Sequence, residues 1–254
     1  MGIYDREYFR DRAPTSAVGH MRMWSVTTWL IVINIAIFII DRLLFHTIRL
    51  AYVEVLPSGQ RLPFYALEGL GYFSIGTAFI KYELWRLLTF QFLHGGLSHL
   101  FFNMLGLYFF GPMIEASLGS RRFLAFYLLC GVGGPIAYAV LWAVRMLIPT
   151  PWVPLVGASA GIFGVLIAAA QIAPNTTVLL YGIFPIQLRT LAWALLVMAA
   201  YTVIAYGGTG QNNAGGEAAH LGGAAVGYLL IRYPHWLRFV DPGGLMRRRR
   251  PPPF

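Results

Sequence analysis

The sequence predicts an all-α, polytopic membrane protein of six transmembrane helices with a large interfacial first loop. Three observations carry that expectation. Of 254 residues, 57% are hydrophobic and only 11% are charged, far from the balance of a water-soluble domain. The apolar residues gather into runs suited to a hydrocarbon layer about 30 Å thick, crossed at about 1.5 Å per residue, with short polar breaks between them. Thirteen of the nineteen lysines and arginines then fall on one side of the layer, the asymmetry that marks a cytoplasmic face.

In chain order, residues 1–24 read as a polar cytoplasmic tail carrying Arg6, Arg10, Arg12 and Arg22. Residues 25–236 form the membrane domain. Its first span covers about 27–40 and ends at Asp41-Arg42. The connection to about Ser98 is too apolar and aromatic for a solvated loop, with Tyr72-Phe73, Leu84-Trp85 and Phe90, and is expected to be partly helical in the membrane interface. Spans two (100–118) and three (123–147) are joined by the tight turn Gly119-Ser120-Arg121-Arg122. A proline-rich stretch, 149–154, leads to span four (156–173). Gly182 and Pro185 interrupt the apolar residues 177–188, so these are an interfacial connection before span five (189–206). The outer loop Gly207 to Gly216, with five glycines, is soft enough to serve as a lid before span six (218–233). Residues 237–254 are a basic, proline-rich cytoplasmic tail with Arg247 to Arg250. No cleavable leader is expected ahead of the first apolar run, and both termini are expected in the cytoplasm of a bacterial inner membrane.

Charge and cysteine content exclude several classes. The net charge of +9 sits at span ends and in the tail, without interleaved base-stacking aromatics, so no nucleic-acid partner is expected. Cys130 is the single cysteine and lies in an apolar run. No disulfide framework, metal site or cofactor is expected. The partners are the lipid bilayer and other membrane proteins.

Hydrocarbon tolerates polar side chains only where they do something. The stretch Val156-Gly157-Ala158-Ser159-Ala160-Gly161-Ile162-Phe163-Gly164 puts one serine among glycines at the head of an apolar run. Alone, it could as well be a helix-packing serine. Two other segments carry His99 with Asn103, and His220. Ser159 lies 15 residues before Pro174 and Asn103 lies 15 before Leu118, each roughly 22 Å above the cytoplasmic end. His220 lies 12 before Arg232, roughly 18 Å up. One layer therefore holds all three. His99 shares the face of Asn103 one turn higher.

A serine hydroxyl becomes a nucleophile when a base within hydrogen-bond reach takes its proton, and His220 is the histidine at its level on another segment. Attack on a carbonyl builds an oxyanion; the Ser159 backbone N–H and the side chains of His99 and Asn103 can stabilise it. No aspartate lies inside a span, so whatever orients His220 is something else, with ring packing against Phe163 one candidate. The small residues Gly157, Ala158, Ala160, Gly161, Gly222, Gly223 and Gly227 would let the two backbones approach closely.

These residues resemble the rhomboid family of intramembrane serine proteases, over about residues 80–232. Trp85-Arg86 is similar to the family's WR pair, and His94, His99 and Asn103 reproduce its H-x4-H-x3-N spacing. Glu115 stands where the family places a structural glutamate. Gly157-Ala158-Ser159 fits the start of G-x-S-G, and Ala219-His220-Leu221-Gly222-Gly223 with Gly227 fits A-H-x-x-G-x-x-x-G. One position departs: Ala160 replaces the family's usual glycine, and a methyl there would narrow the oxyanion site. The resemblance implies a six-helix rhomboid-like bundle that hydrolyses a peptide bond in or near the outer end of transmembrane segments of substrate proteins, by a Ser159–His220 dyad. It implies supporting roles for Gly157, Phe163, Gly223, Gly227, His94, Trp85 and Arg86.

Blander readings stand beside these. His94 reads equally as a solvated or structural interfacial histidine, Trp85-Arg86 as interfacial anchors, and Glu115 as a structural ion pair or loop brace near Arg121 and Arg122. The G-x-S-x-G spelling of 157–161 lacks the preceding strand of a soluble hydrolase elbow. H-E-x-x-H and paired buried aspartates are missing, against zinc and aspartyl chemistry. The rival from another class is a catalytically silent rhomboid-like protein that binds membrane helices as a chaperone or trafficking factor.

Overall fold

The computed structural model describes residues 24–44, 51–54, 61–180 and 182–241. Most of both expected tails, including Arg247 to Arg250, lies outside the described residues. In chain order the α-helices described are α1 (Val26–Ile39), α2 (Ala66–Gly71), α3 (Arg86–Thr89), α4 (Leu97–Leu118), α5 (Ser120–Ala143), α6 (Ser159–Ile172), α7 (Leu188–Tyr206) and α8 (Ala214–Arg232). Four helical stretches among the described residues are long and apolar enough to cross a membrane: Val26–Leu43, Leu97–Leu118, Ser120–Ala143 and Leu188–Thr209. They contain α1, α4, α5 and α7, and make this an integral, multi-pass membrane protein.

The two helices carrying the candidate site are of another kind. α6 has 14 residues, about 21 Å of rise against about 30 Å of hydrocarbon. From Ala160 to Ala170 all but Phe163 are buried, because α4, α5, α7 and α8 all pack around it. A helix apolar on every side belongs at the centre of a bundle. It begins at Ser159 and not at the expected 156, since Gly157 has φ +129, outside helical space. α8 is long enough to span but rich in glycine and alanine. A methyl at Gly222 would meet the Gly133 carbonyl of α5, at Gly223 the Ala160 carbonyl of α6, and at Gly227 the backbone of Gly164. Close backbone approach at these glycines, beside a buried core that includes Phe126, Tyr127, Val165 and Leu230, holds α5, α6 and α8 together.

Two ties fix the periphery to this centre. Glu115, near the end of α4, accepts from the backbone N–H groups of Val26 and Thr27 at 2.8 and 2.9 Å and from the hydroxyls of Thr27 and Ser120 at 2.8 and 2.7 Å. It therefore satisfies donors at the start of α1 that a helix leaves without partners, as a brace and not an ion pair with Arg121 or Arg122. Arg122 turns instead to Asp241, donating to its carbonyl at 2.9 Å.

The segment between α1 and α4 is the second tie. The Asp41 carboxylate accepts from the N–H groups of Leu67 and Glu68 at 2.8 and 3.2 Å, capping α2. Arg42 donates to Glu68 at 3.3 Å and to the His94 carbonyl at 2.9 Å. Arg86, 6% exposed, donates to the carbonyls of Gly69 and Tyr72 at 3.0 and 2.8 Å. Phe73 and Leu155 exchange backbone hydrogen bonds of 3.0 and 2.7 Å, and the Gly157 N–H donates to the Phe90 carbonyl at 2.9 Å. The strand-like lead into Ser159 is thus sewn to this segment.

The all-α expectation needs one correction. Strands β1 (Ala51–Glu54) and β2 (Arg61–Phe64) pair antiparallel with Ala51 opposite Phe64, and β3 (Thr177–Leu180) and β4 (Phe184–Gln187) pair with Thr177 opposite Gln187. The second hairpin occupies the apolar stretch around Gly182, where Gly182 at φ +73 makes the turn.

Candidate active site

Ser159 is the first residue of α6, and His220 stands in the second turn of α8. The glycine contacts just described bring the two helices close enough for Ser159 Oγ and His220 Nε2 to lie 2.8 Å apart. The ring of Phe163, one turn into α6, stacks on the imidazole with centroids 4.1 Å apart and planes 8° from parallel. The opposite ring nitrogen, Nδ1, is 2.9 Å from Glu217 Oε2. An ionised carboxylate only accepts, so Nδ1 carries the proton there and Nε2 is left to accept from the Ser159 hydroxyl.

A cavity of about 560 Å³ opens on this pair and is lined by His99, Asn103, Ser159 and His220 together. His99 lies against Gly157: a Cβ there would stand 2.7 Å from both Cε1 and Nε2 of the ring. Only glycine allows that approach, and it is the same residue whose positive φ ends the extended lead-in. Asn103 is 7% exposed and its Nδ2 has no hydrogen-bond partner among the described residues, which leaves a buried amide donor available. Leu191 and Leu195 of α7 and Phe102 and Gly106 of α4 line the same cavity, together with Ile162 and Leu166 of α6.

The remaining candidates divide. His94 is 3% exposed, with its ring edge-on to His99 at 5.1 Å; it packs behind the site and is not a solvated histidine. Burial, then the neighbouring His99, pull its pKa from 6.5 down to about 3. Gly223 and Gly227 act through helix approach. Trp85 and Arg86 are not in the cavity lining. Arg86 braces the loop, with Tyr72 beneath its guanidinium at 4.7 Å, while Trp85 is 56% exposed and donates from Nε1 to the Leu70 carbonyl at 3.2 Å.

Three points differ from the sequence expectation. Ala160 does not line the cavity; its methyl faces α5, where a Cβ on Gly134 would come within 2.8 Å of it. That methyl does not crowd the cavity, because Gly134 supplies the room. Glu217 is the polar residue that sequence reasoning missed. Its signal was its position three residues before His220, on one helix face. The Gly207 to Gly216 stretch is also more built than a soft loop, with 3₁₀ turns at Gly207–Thr209 and Gln211–Asn213 and helix from Ala214 onward.

A model of the rhomboid domain matches residues 81–236. RHOMBOID-like protein 1 of Arabidopsis thaliana is 30% identical over 165 residues, 65% of this chain and 38% of that protein. Rhomboid protease GluP of Bacillus subtilis is 44% identical over 91 residues, 36% of this chain and 16% of that one. Inactive RHOMBOID-like protein 8 of Arabidopsis thaliana is 34% identical over 100 residues, 39% and 26% respectively. The matched stretch spans well under half of each relative. The family model covers more than half of this chain and every residue of the hydrogen-bonded cluster, and the chain belongs to the rhomboid family.

Proposed function

We propose that this protein is an intramembrane serine endopeptidase that cuts transmembrane segments of other membrane proteins near their outer ends. The observation that carries the reading is the 2.8 Å approach of Ser159 Oγ to His220 Nε2, across two helices, inside a cavity that also holds His99 and Asn103. In the proposed reaction His220 takes the hydroxyl proton as Ser159 Oγ bonds to the substrate carbonyl carbon. The Ser159 N–H, Asn103 and His99 stabilise the resulting oxyanion. Collapse breaks the C–N bond, His220 protonates the leaving amine, and water then hydrolyses the acyl-enzyme by the same route.

Six spans, with α6 and α8 as the inner pair, and both termini in the cytoplasm of a bacterial inner membrane complete the proposal. Membrane domain 25–236 and tails 1–24 and 237–254 go with it. In that frame Ser159 lies about 8 Å below the outer surface. A peptide bond must leave its helix to be attacked, so the proposed substrates have a single span whose outer end carries small or helix-weakening residues. They would enter between α4 and α7, which both line the cavity.

A silent, helix-binding relative is the competing reading, since one similar protein is named inactive. The paired Ser159 and His220 favour the protease. The test is incubation of the purified chain in lipid with single-span substrates, with cut sites mapped by mass spectrometry. Cuts in the outer half that vanish in Ser159→Ala support the proposal; cuts in the cytoplasmic half, or none with any substrate, count against it.

A further inference from the structure

His220 makes hydrogen bonds at both ring nitrogens, to Ser159 at 2.8 Å and to Glu217 at 2.9 Å. We propose that Glu217 is the positioning acid of this site. It holds His220 in the one tautomer and orientation that can accept the Ser159 proton, so that the machinery is a Ser159–His220–Glu217 relay and not a dyad. This rests on the serine-protease reading above and deepens it.

A neutral imidazole has two tautomers. With the proton on Nε2 the ring presents a donor to Ser159 and cannot act as its base. A carboxylate at Nδ1 accepts and does not donate, so it selects the productive form. It also stabilises the imidazolium that forms when the serine proton arrives. The proton moves only from Ser159 Oγ to His220 Nε2; the Nδ1 proton stays on the ring, and Glu217 remains a carboxylate throughout.

Geometry supports this role over a casual surface contact. Glu217 and His220 lie three residues apart on one helix, so little freedom is lost in making their bond. Their side chains are 22% and 14% exposed, which limits competition from water. Phe163 fixes the plane of the ring, while Glu217 and Ser159 fix its rotation within that plane. Three contacts together leave the imidazole one position.

The competing role is purely structural. Glu217 is the acidic residue in the first turn of α8, where negative charge favours the helix N-terminus. That role predicts lost stability without a specific effect on turnover, so the experiment reads both. Full-length wild type, Glu217→Gln, Glu217→Ala and Ser159→Ala are purified in lipid, and kcat, KM and melting temperature are measured on one single-span substrate. The relay predicts that Glu217→Ala lowers kcat by at least about tenfold, with KM within about twofold and the melting temperature unmoved. Glu217→Gln, whose amide oxygen can still accept from Nδ1 but carries no charge, is expected to fall between Glu217→Ala and wild type. Wild-type kcat in Glu217→Ala beside an inactive Ser159→Ala would overturn the relay and leave the protease reading standing. Loss of kcat only in step with loss of folded protein would assign Glu217 to helix stability and also overturn it. Cleavage that survives in Ser159→Ala would overturn both.

Discussion

Phe163 lies flat on His220, with ring centroids 4.1 Å apart and planes 8° from parallel. The stack joins the helix that carries Ser159 to the helix that carries His220. Aromatic pairs of this kind contribute about 0.5 to 1.5 kcal/mol beyond their area. If that energy holds the ring in place, Phe163→Leu lowers kcat by about two- to tenfold with KM little changed, and Phe163→Tyr stays near wild type. Steady-state kinetics check this; equal losses in both variants would argue against the stack.

Asn103 Nδ2 is buried without a partner among the described residues. Such a donor is costly to bury unpaired, and in the proposed reaction the oxyanion would give it a partner. Asn103→Ala and His99→Ala should each lower kcat by on the order of 10² to 10³, with substrate affinity retained. Thermal melts distinguish this from packing: a drop in stability that accounts for the activity loss would contradict it.

Gly223 faces the Ala160 carbonyl with no room for a methyl. Gly223→Ala must therefore push α8 from α6, at about 1 to 3 kcal/mol for overpacking, and lengthen the Ser159 to His220 bond. Activity is expected to fall further than stability. Ala160→Gly relieves nothing at the cavity, because that methyl packs on Gly134, and should leave turnover near wild type.

His94 titrates at about 3 in the folded protein instead of 6.5, because burial disfavours its charged form. The unfolded chain takes up a proton below 6.5 while the folded one does not. The stability this site contributes is full above pH 6.5 and drains as pH falls through that window towards 3, at up to about 1.4 kcal/mol per unit. Melting temperatures measured from pH 7 to pH 4 should fall less steeply for His94→Gln than for wild type. Parallel slopes would show that His94 is not the group responsible.

The spans that face lipid were legible because nothing else in a protein needs long unbroken apolar runs. α4, α5 and α7 start within three residues of their expected positions. The expected fourth span was too long, because Val156 is apolar without being helical and Gly157 bars the helix before Ser159. That Ser159, Asn103 and His220 would stand together, as they do around one cavity, was legible from spacing, since helical rise converts sequence distance into height along a helix. Glu217 was not, because it sits at a helix entrance beside a glycine-rich loop, where an acidic residue ordinarily signals solvent. The β3–β4 hairpin was hidden by apolar residues, though Thr177-Val178 before Gly182 carries β-branched strand character. Ala160 shows a further limit: whether a methyl crowds a site depends on the facing helix, and the sequence does not say that Gly134 is there.

The proposed reaction turns on Ser159 as a nucleophile activated by His220. A fluorophosphonate serine probe applied to the folded protein in lipid, with the adduct located by peptide mass spectrometry, tests it most directly. An adduct on Ser159 is expected in wild type, with labelling lost about equally in His220→Ala and in the His220→Ala, Ser159→Ala double variant, because the two residues act as a unit. Labelling of Ser159 at the wild-type rate in folded His220→Ala would contradict it.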